Sequence, residues 1–171
     1  MKKLLALSFG FILFFGLSSH AQQKTALHGN GTTTIFEGAT QFLDAYNAAM
    51  DGDTIYLPGG LMTNIPAIDK RLVIFGAGFH PDSTLATGIT LISGNLNFQE
   101  NSDSSSVEGV ELTGDIVTSN NQQINYLTIS RCKFNELRIQ GNQTTPSTNI
   151  MVKECIIQDN VDLANAAFST F

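Results

Sequence analysis

A repeat constrains this chain more than anything else in it. Val107-Glu-Gly-Val110-Glu-Leu112 aligns with Ile129-Ser-Arg-Cys132-Lys-Phe134, and that block in turn with Val152-Lys-Glu-Cys155-Ile-Ile157. In each block the first, fourth and sixth residues are apolar. A short polar link then leads to a second apolar group: Ile116 with Val117 or Thr118, Leu137 with Ile139, and Val161 with Leu163. A period in the low twenties built from short strands means stacked coils, each burying its apolar residues against the next. Parallel strands buried by stacking need β-branched and aliphatic residues in register, and Val, Ile and Leu fill the aligned sites. Asn and Gly at 94–95, 120–121 and 141–142 suit tight turns between faces.

The repeat is preceded by a leader. Lys2 and Lys3 stand before an apolar run from Leu4 to Leu17, and Ser19-His20-Ala21 has the small-x-small form of a cleavage site. The run is short for a bilayer span, and no Cys follows it for lipoprotein processing. Residues 1–21 therefore read as a removed secretory signal, and the mature chain as secreted or cell-surface, with no membrane segment. Without Lys2 and Lys3, that mature chain carries 7 basic and 15 acidic residues, a net charge of −8. Its acidic, sparsely charged surface argues against nucleic acid and anionic membranes as partners. It also makes a polyanionic polysaccharide hard to hold without a bridging cation.

Residues 22–38 are polar and rich in Gly and Thr, and read as a flexible start in which only Ile35-Phe36 forms a short strand. From Thr40 to Met50, apolar residues at 42, 43, 46, 49 and 50 follow helical spacing, and Asp51-Gly52 ends the run. A single helix before a stack of strands covers the open end of the first coil, whose strand edges are otherwise unpaired. Strands are expected at Asp53–Leu57, ended by Pro58-Gly-Gly60, at Arg71–Phe75, and at 89–92 with 96–98. A polar loop at 99–106 leads into the three repeats, which loops at 118–123 and 140–148 separate. Residues 39–171 thus form about five to six coils at ~4.8 Å each, a column about 25–30 Å long. The tail Asn165-Ala-Ala-Phe168-Ser-Thr-Phe171 has no polar cap, which stacked architectures need. Either further coils follow, or the last coil meets another protein chain.

An alanine-rich helix, then Gly52-Asp53-Thr54-Ile55-Tyr56-Leu57-Pro58-Gly59-Gly60, then Leu72-Val73-Ile74-Phe75-Gly76-Ala77-Gly78, resembles the N-terminal end of the pectate-lyase-like right-handed parallel β-helix superfamily. The resemblance covers about residues 40–163. It implies an all-β fold, a right-handed parallel β-helix (solenoid) with an N-terminal capping α-helix. On activity it is nearly silent, because that superfamily holds lyases, hydrolases, adhesins and proteins without a known reaction. The leader and the Asn/Thr-rich coils also resemble secreted proteins of Bacteroidetes-type bacteria.

In relatives that cleave pectic polymers, carboxylates on one face bind calcium and an arginine acts as base. Asp115, Glu136 and Asp159 are the Ca²⁺ candidates here, because they fall at matching turn positions of successive coils. Turns favour Asp and Glu for reasons of their own, and Arg131, Lys133 and Arg138 lie nearby to neutralise the acids, so no metal or other cofactor is assigned. The Arg-x-Pro-x-x-Arg pattern of pectate lyases is absent, as are the paired aspartates and Gly-His-Gly of polygalacturonases. No catalytic residue is assigned. His28 and His80 read as surface residues, and Gly76-Ala-Gly78, with no following helix, is not a nucleotide loop. Asn30-Gly-Thr32 and Asn142-Gln-Thr144 match the glycosylation acceptor.

Cys132 and Cys155 take equivalent places in adjacent coils. Secretion permits a disulfide between them, and stacked coils bring their Cα atoms within bridging range. Side chains stacked in parallel do not automatically have bridging geometry, and two small inward residues stacking in a ladder account for them more simply. Two functions follow from the whole. One is a non-catalytic extracellular module, structural or binding a carbohydrate or a partner chain. The other is a polysaccharide lyase or glycoside hydrolase with an incomplete set of working coils, in which Asp115 and Glu136 are the one nameable carboxylate pair.

Overall fold

A computed structural model of the chain describes residues 23–80, 88–142, 144–164 and 166–167. The expected leader at 1–21, and Phe168-Ser-Thr-Phe171 of the tail, lie outside the described residues. The fold opens with two strands, β1 (Lys24–Gly29) and β2 (Thr32–Glu37), and helix α1 (Gln41–Ala48). Five coils follow. The first holds β3 (Thr54–Tyr56) and β4 (Gly60–Met62); the second β5 (Val73–Phe75), β6 (Thr90–Ile92) and β7 (Leu96–Phe98). The third holds β8 (Ser106–Glu108), β9 (Glu111–Leu112) and β10 (Ile116–Thr118); the fourth β11 (Thr128–Ser130), β12 (Lys133–Phe134) and β13 (Leu137–Arg138). After β14 (Ser147–Thr148), the fifth coil holds β15 (Met151–Lys153), β16 (Ile156–Ile157) and β17 (Val161–Asp162), and β18 (Ala166–Ala167) pairs in parallel with β14.

The coils stack into three parallel sheets. The first runs β15-β11-β8-β5-β3, the second β16-β12-β9-β6-β4, and the third β17-β13-β10-β7. The described residues form a parallel β-solenoid of about five coils, and the repeat sets its register. Ile129 pairs with Val107 and Val152, and Leu137 with Ile116 and Val161. Between the first and second sheets, Lys133 N donates to Val110 O at 3.0 Å and Ile156 N to Cys132 O at 2.9 Å, so Val110, Cys132 and Cys155 form one column. The bend before each of them is turned by a single left-handed residue: Gly109 (φ 72°), Arg131 (φ 49°) and Glu154 (φ 56°). Burying each Val, Ile or Leu of these columns stabilises the stack by about 1.5–3 kcal/mol.

The N-terminal segment differs from the flexible start expected of it. Asn30 (φ 49°) and Gly31 (φ 73°) make the two-residue turn whose twist matches that of paired strands, and β1 and β2 form an antiparallel hairpin around it. β1 then pairs antiparallel with β3, Leu27 opposite Ile55, so the hairpin rather than the helix covers the first sheet's edge. Helix α1 forms where its spacing placed it. Phe42, Ala45, Tyr46 and Ala49 are buried, while Met50 points outward because the backbone turns extended at Ala49.

Candidate functional site

In a three-residue strand whose middle residue faces the core, its neighbours face out. Ile55, Ile74, Val107, Ile129 and Val152 are the buried middles of the first sheet. The residue after each therefore joins an outward row in register: Tyr56, Phe75, Glu108, Ser130, Lys153. The Tyr56 and Phe75 rings stack with centroids 5.6 Å apart and an interplanar angle of 16°, although Tyr56 remains 47% exposed. One coil on, the Glu108 carboxylate pairs with the Arg131 guanidinium and accepts a hydrogen bond from Ser130 Oγ at 3.2 Å.

These groups border a groove of about 740 Å³, which Phe79 and His80 also line. Bare backbone forms its floor. Gly76 N donates to Glu108 O and Gly78 N to Gly109 O, both at 2.8 Å. A Cβ on Gly76 would lie 2.3 Å from Gly109 O, so the Gly76-Ala-Gly78 stretch serves close packing of two coils. The groove thus offers a flat aromatic platform next to a hydrogen-bonding acid and base. Among the described residues lining it, Glu108 is the sole carboxylate, so the opposed pair of a glycosidase is not assembled there.

The acids singled out in the sequence lie at the third sheet. Asp115 Oδ2 accepts from Arg138 at 2.5 Å, and Glu136 Oε2 lies 3.6 Å from Arg138 Nε. Asp115 and Glu136 stand on neighbouring coils and share one guanidinium, rather than facing each other across a cleft. Asp159 leaves their column altogether. The corner before β13 holds Asn135 and Glu136 alone, whereas the corner before β17 runs from Gln158 to Asn160, one residue longer. Asp159 N accordingly donates to Asn135 O at 2.9 Å and Leu137 N to Asn160 O at 3.0 Å, which puts Asn160 in the place expected for the third acid. Among the described residues no three His, Cys, Asp or Glu side chains gather into a group able to hold a metal.

His28 Nδ1 lies 2.9 Å from Thr33 Oγ1 across the hairpin, away from the groove. Cys132 and Cys155 are free thiols, Cys132 buried and Cys155 partly so. Their mutual contact and burial push the Cys132 thiol well up, and the hydrogen bond from Cys132 lowers Cys155 to about 7. The sequence alone did not bring out Tyr56 and Phe75 as a pair. The signal was there, in Thr54-Ile55-Tyr56 followed one short coil later by Val73-Ile74-Phe75. Comparison with protein-family models, with curated proteins and with solved structures gives no match to this chain.

Proposed function

We propose that this is a secreted or cell-surface β-helix module that binds carbohydrate on the outer face of its first sheet and leaves the glycan uncleaved. The observation that carries the reading is the stacked Tyr56–Phe75 pair beside the Glu108–Arg131 pair. A pyranose presents an apolar face of C–H groups and a rim of hydroxyls. An exposed aromatic platform takes the first, and an adjacent carboxylate and guanidinium take the second. Glu108 is neutralised by Arg131 while the chain as a whole is acidic, which favours uncharged glycans over pectate or alginate. The resemblance of residues 52–60 and 72–78 to the N-terminal end of pectate-lyase-like proteins supports a polysaccharide ligand, and Glu108 as the sole carboxylate among the described lining residues supports binding over cleavage.

Affinity electrophoresis against a panel of neutral polysaccharides, with pectin and alginate in Ca²⁺ alongside, tests this. Retardation by at least one neutral glycan is expected, with Tyr56→Ala and Phe75→Ala each weakening it about 10- to 100-fold, the equivalent of about 1.4–3 kcal/mol. No retardation by any polysaccharide overturns the reading. Unsaturated uronate absorbance with pectin or alginate replaces it with the lyase alternative.

A further inference from the structure

Away from the groove, the feature that reaches furthest is the cysteine column. Cys132 and Cys155 precede residues paired in register, Lys133 and Ile156, and each follows a left-handed residue at the same bend. Each sulfur lies beside the carbonyl two residues earlier, Cys132 Sγ 3.1 Å from Ser130 O and Cys155 Sγ 3.3 Å from Lys153 O. The two side chains therefore share one orientation on adjacent coils. Adjacent parallel strands lie ~4.8 Å apart, a Cα separation that a disulfide accepts.

We propose that this pair is an oxidation site, where exchange with a small-molecule disulfide joins Cys132 to Cys155 and ties the fifth coil to the fourth. Cys155, the thiol that solvent reaches, attacks one sulfur of the small disulfide as the thiolate. That S–S bond breaks, one small thiolate leaves, and a mixed disulfide forms on Cys155. Cys132 then attacks Cys155 Sγ, the second small thiolate departs, and the proton of the Cys132 thiol goes with it. The protein gives up two electrons and two protons, and the small disulfide ends as two thiols. The lowered Cys155, partly exposed where Cys132 is buried, makes it the entry point.

The bond falls where the stack is held least. Val161 and Ile156 are 40% and 47% exposed in the fifth coil, whereas Leu137 and Ile116 of the Val161 column are fully buried. Closing the loop between Cys132 and Cys155 is expected to raise Tm by about 6–10 °C.

The test is to equilibrate the purified chain with oxidised and reduced glutathione, map thiols by alkylation and peptide mass, and record thermal unfolding. Both thiols disappearing together into one intramolecular bond, with that rise in Tm and its reversal by reductant, supports the proposal. Cys155→Ser should abolish the shift, and Cys132→Val, which copies Val110 of the same column, should leave only a glutathione adduct on Cys155. A stable adduct on Cys155 in the unaltered chain with Cys132 still free overturns the proposal. So does an oxidised chain that melts no higher than the reduced one.

Discussion

At Gly76 the backbone of the second coil passes so close to the third that a methyl group there would meet Gly109 O at 2.3 Å and Val110 Cγ1 at 2.6 Å. Gly76→Ala is therefore expected to cost about 2–4 kcal/mol, or roughly 5–12 °C in Tm, measured by urea and thermal unfolding. An unchanged midpoint would show that the coils can separate there at no cost. The glycines themselves were legible in the sequence, but their reason was not, because the opposing backbone at Gly109 is remote along the chain. The same limit applied to the groove. Coil lengths differ: Phe75 follows Tyr56 after a short coil, and Glu108 follows Phe75 only after a much longer one. The even spacing after Val107 therefore reveals the column of Val110, Cys132 and Cys155, while the uneven spacing before it hides the pairing of Tyr56 with Phe75. Asp159 failed for a smaller cause, one extra corner residue that the apolar pattern does not record.

Among the elements, the helix is legible because its spacing is local, and the hairpin is not, although Asn30-Gly31 is a strong local turn signal. The polarity of residues 22–38 concealed it: β2 is almost wholly exposed and carries little apolar pattern to read. The helix is fastened by contacts no local pattern announces. Tyr46 OH donates to the Asp69 carboxylate, and Asp69 N donates back to it at 3.2 Å. Lys70 Nζ donates to the helix-end carbonyls of Tyr46 and Ala49 at 3.1 Å and sits 4.4 Å from the Tyr46 ring centre. Burial, and then the Asp69 hydrogen bond, push the Tyr46 phenol up to about 12. A raised phenol stabilises the fold fully below its ordinary value near 10 and loses that contribution as pH climbs toward 12. Stability measured by urea unfolding should fall across that window. Tyr46→Phe should flatten the fall and cost about 1–2 kcal/mol at neutral pH by leaving Asp69 without its donor.

For the whole molecule, the seven-stranded first sheet explains why a chain with so few long elements holds together. Its strands add one per coil, and β1 and β2 end the row with antiparallel pairing, so Leu27 and Phe42 close the interior at that end. Removing residues 23–37 would bare the N–H and C=O groups of β3, an invitation to edge-to-edge association. The shortened chain should melt at least about 5 °C lower and form larger species as concentration rises in analytical ultracentrifugation. A monomer of unchanged Tm would show that the helix alone suffices as a lid.

The unequal corners before β13 and β17 carry a wider meaning. One residue more or less at a corner changes which polar groups meet outdoors, while the hydrocarbon pile indoors keeps step. Exterior chemistry and interior packing can thus be rewritten separately in this architecture, the former by the length of a corner alone.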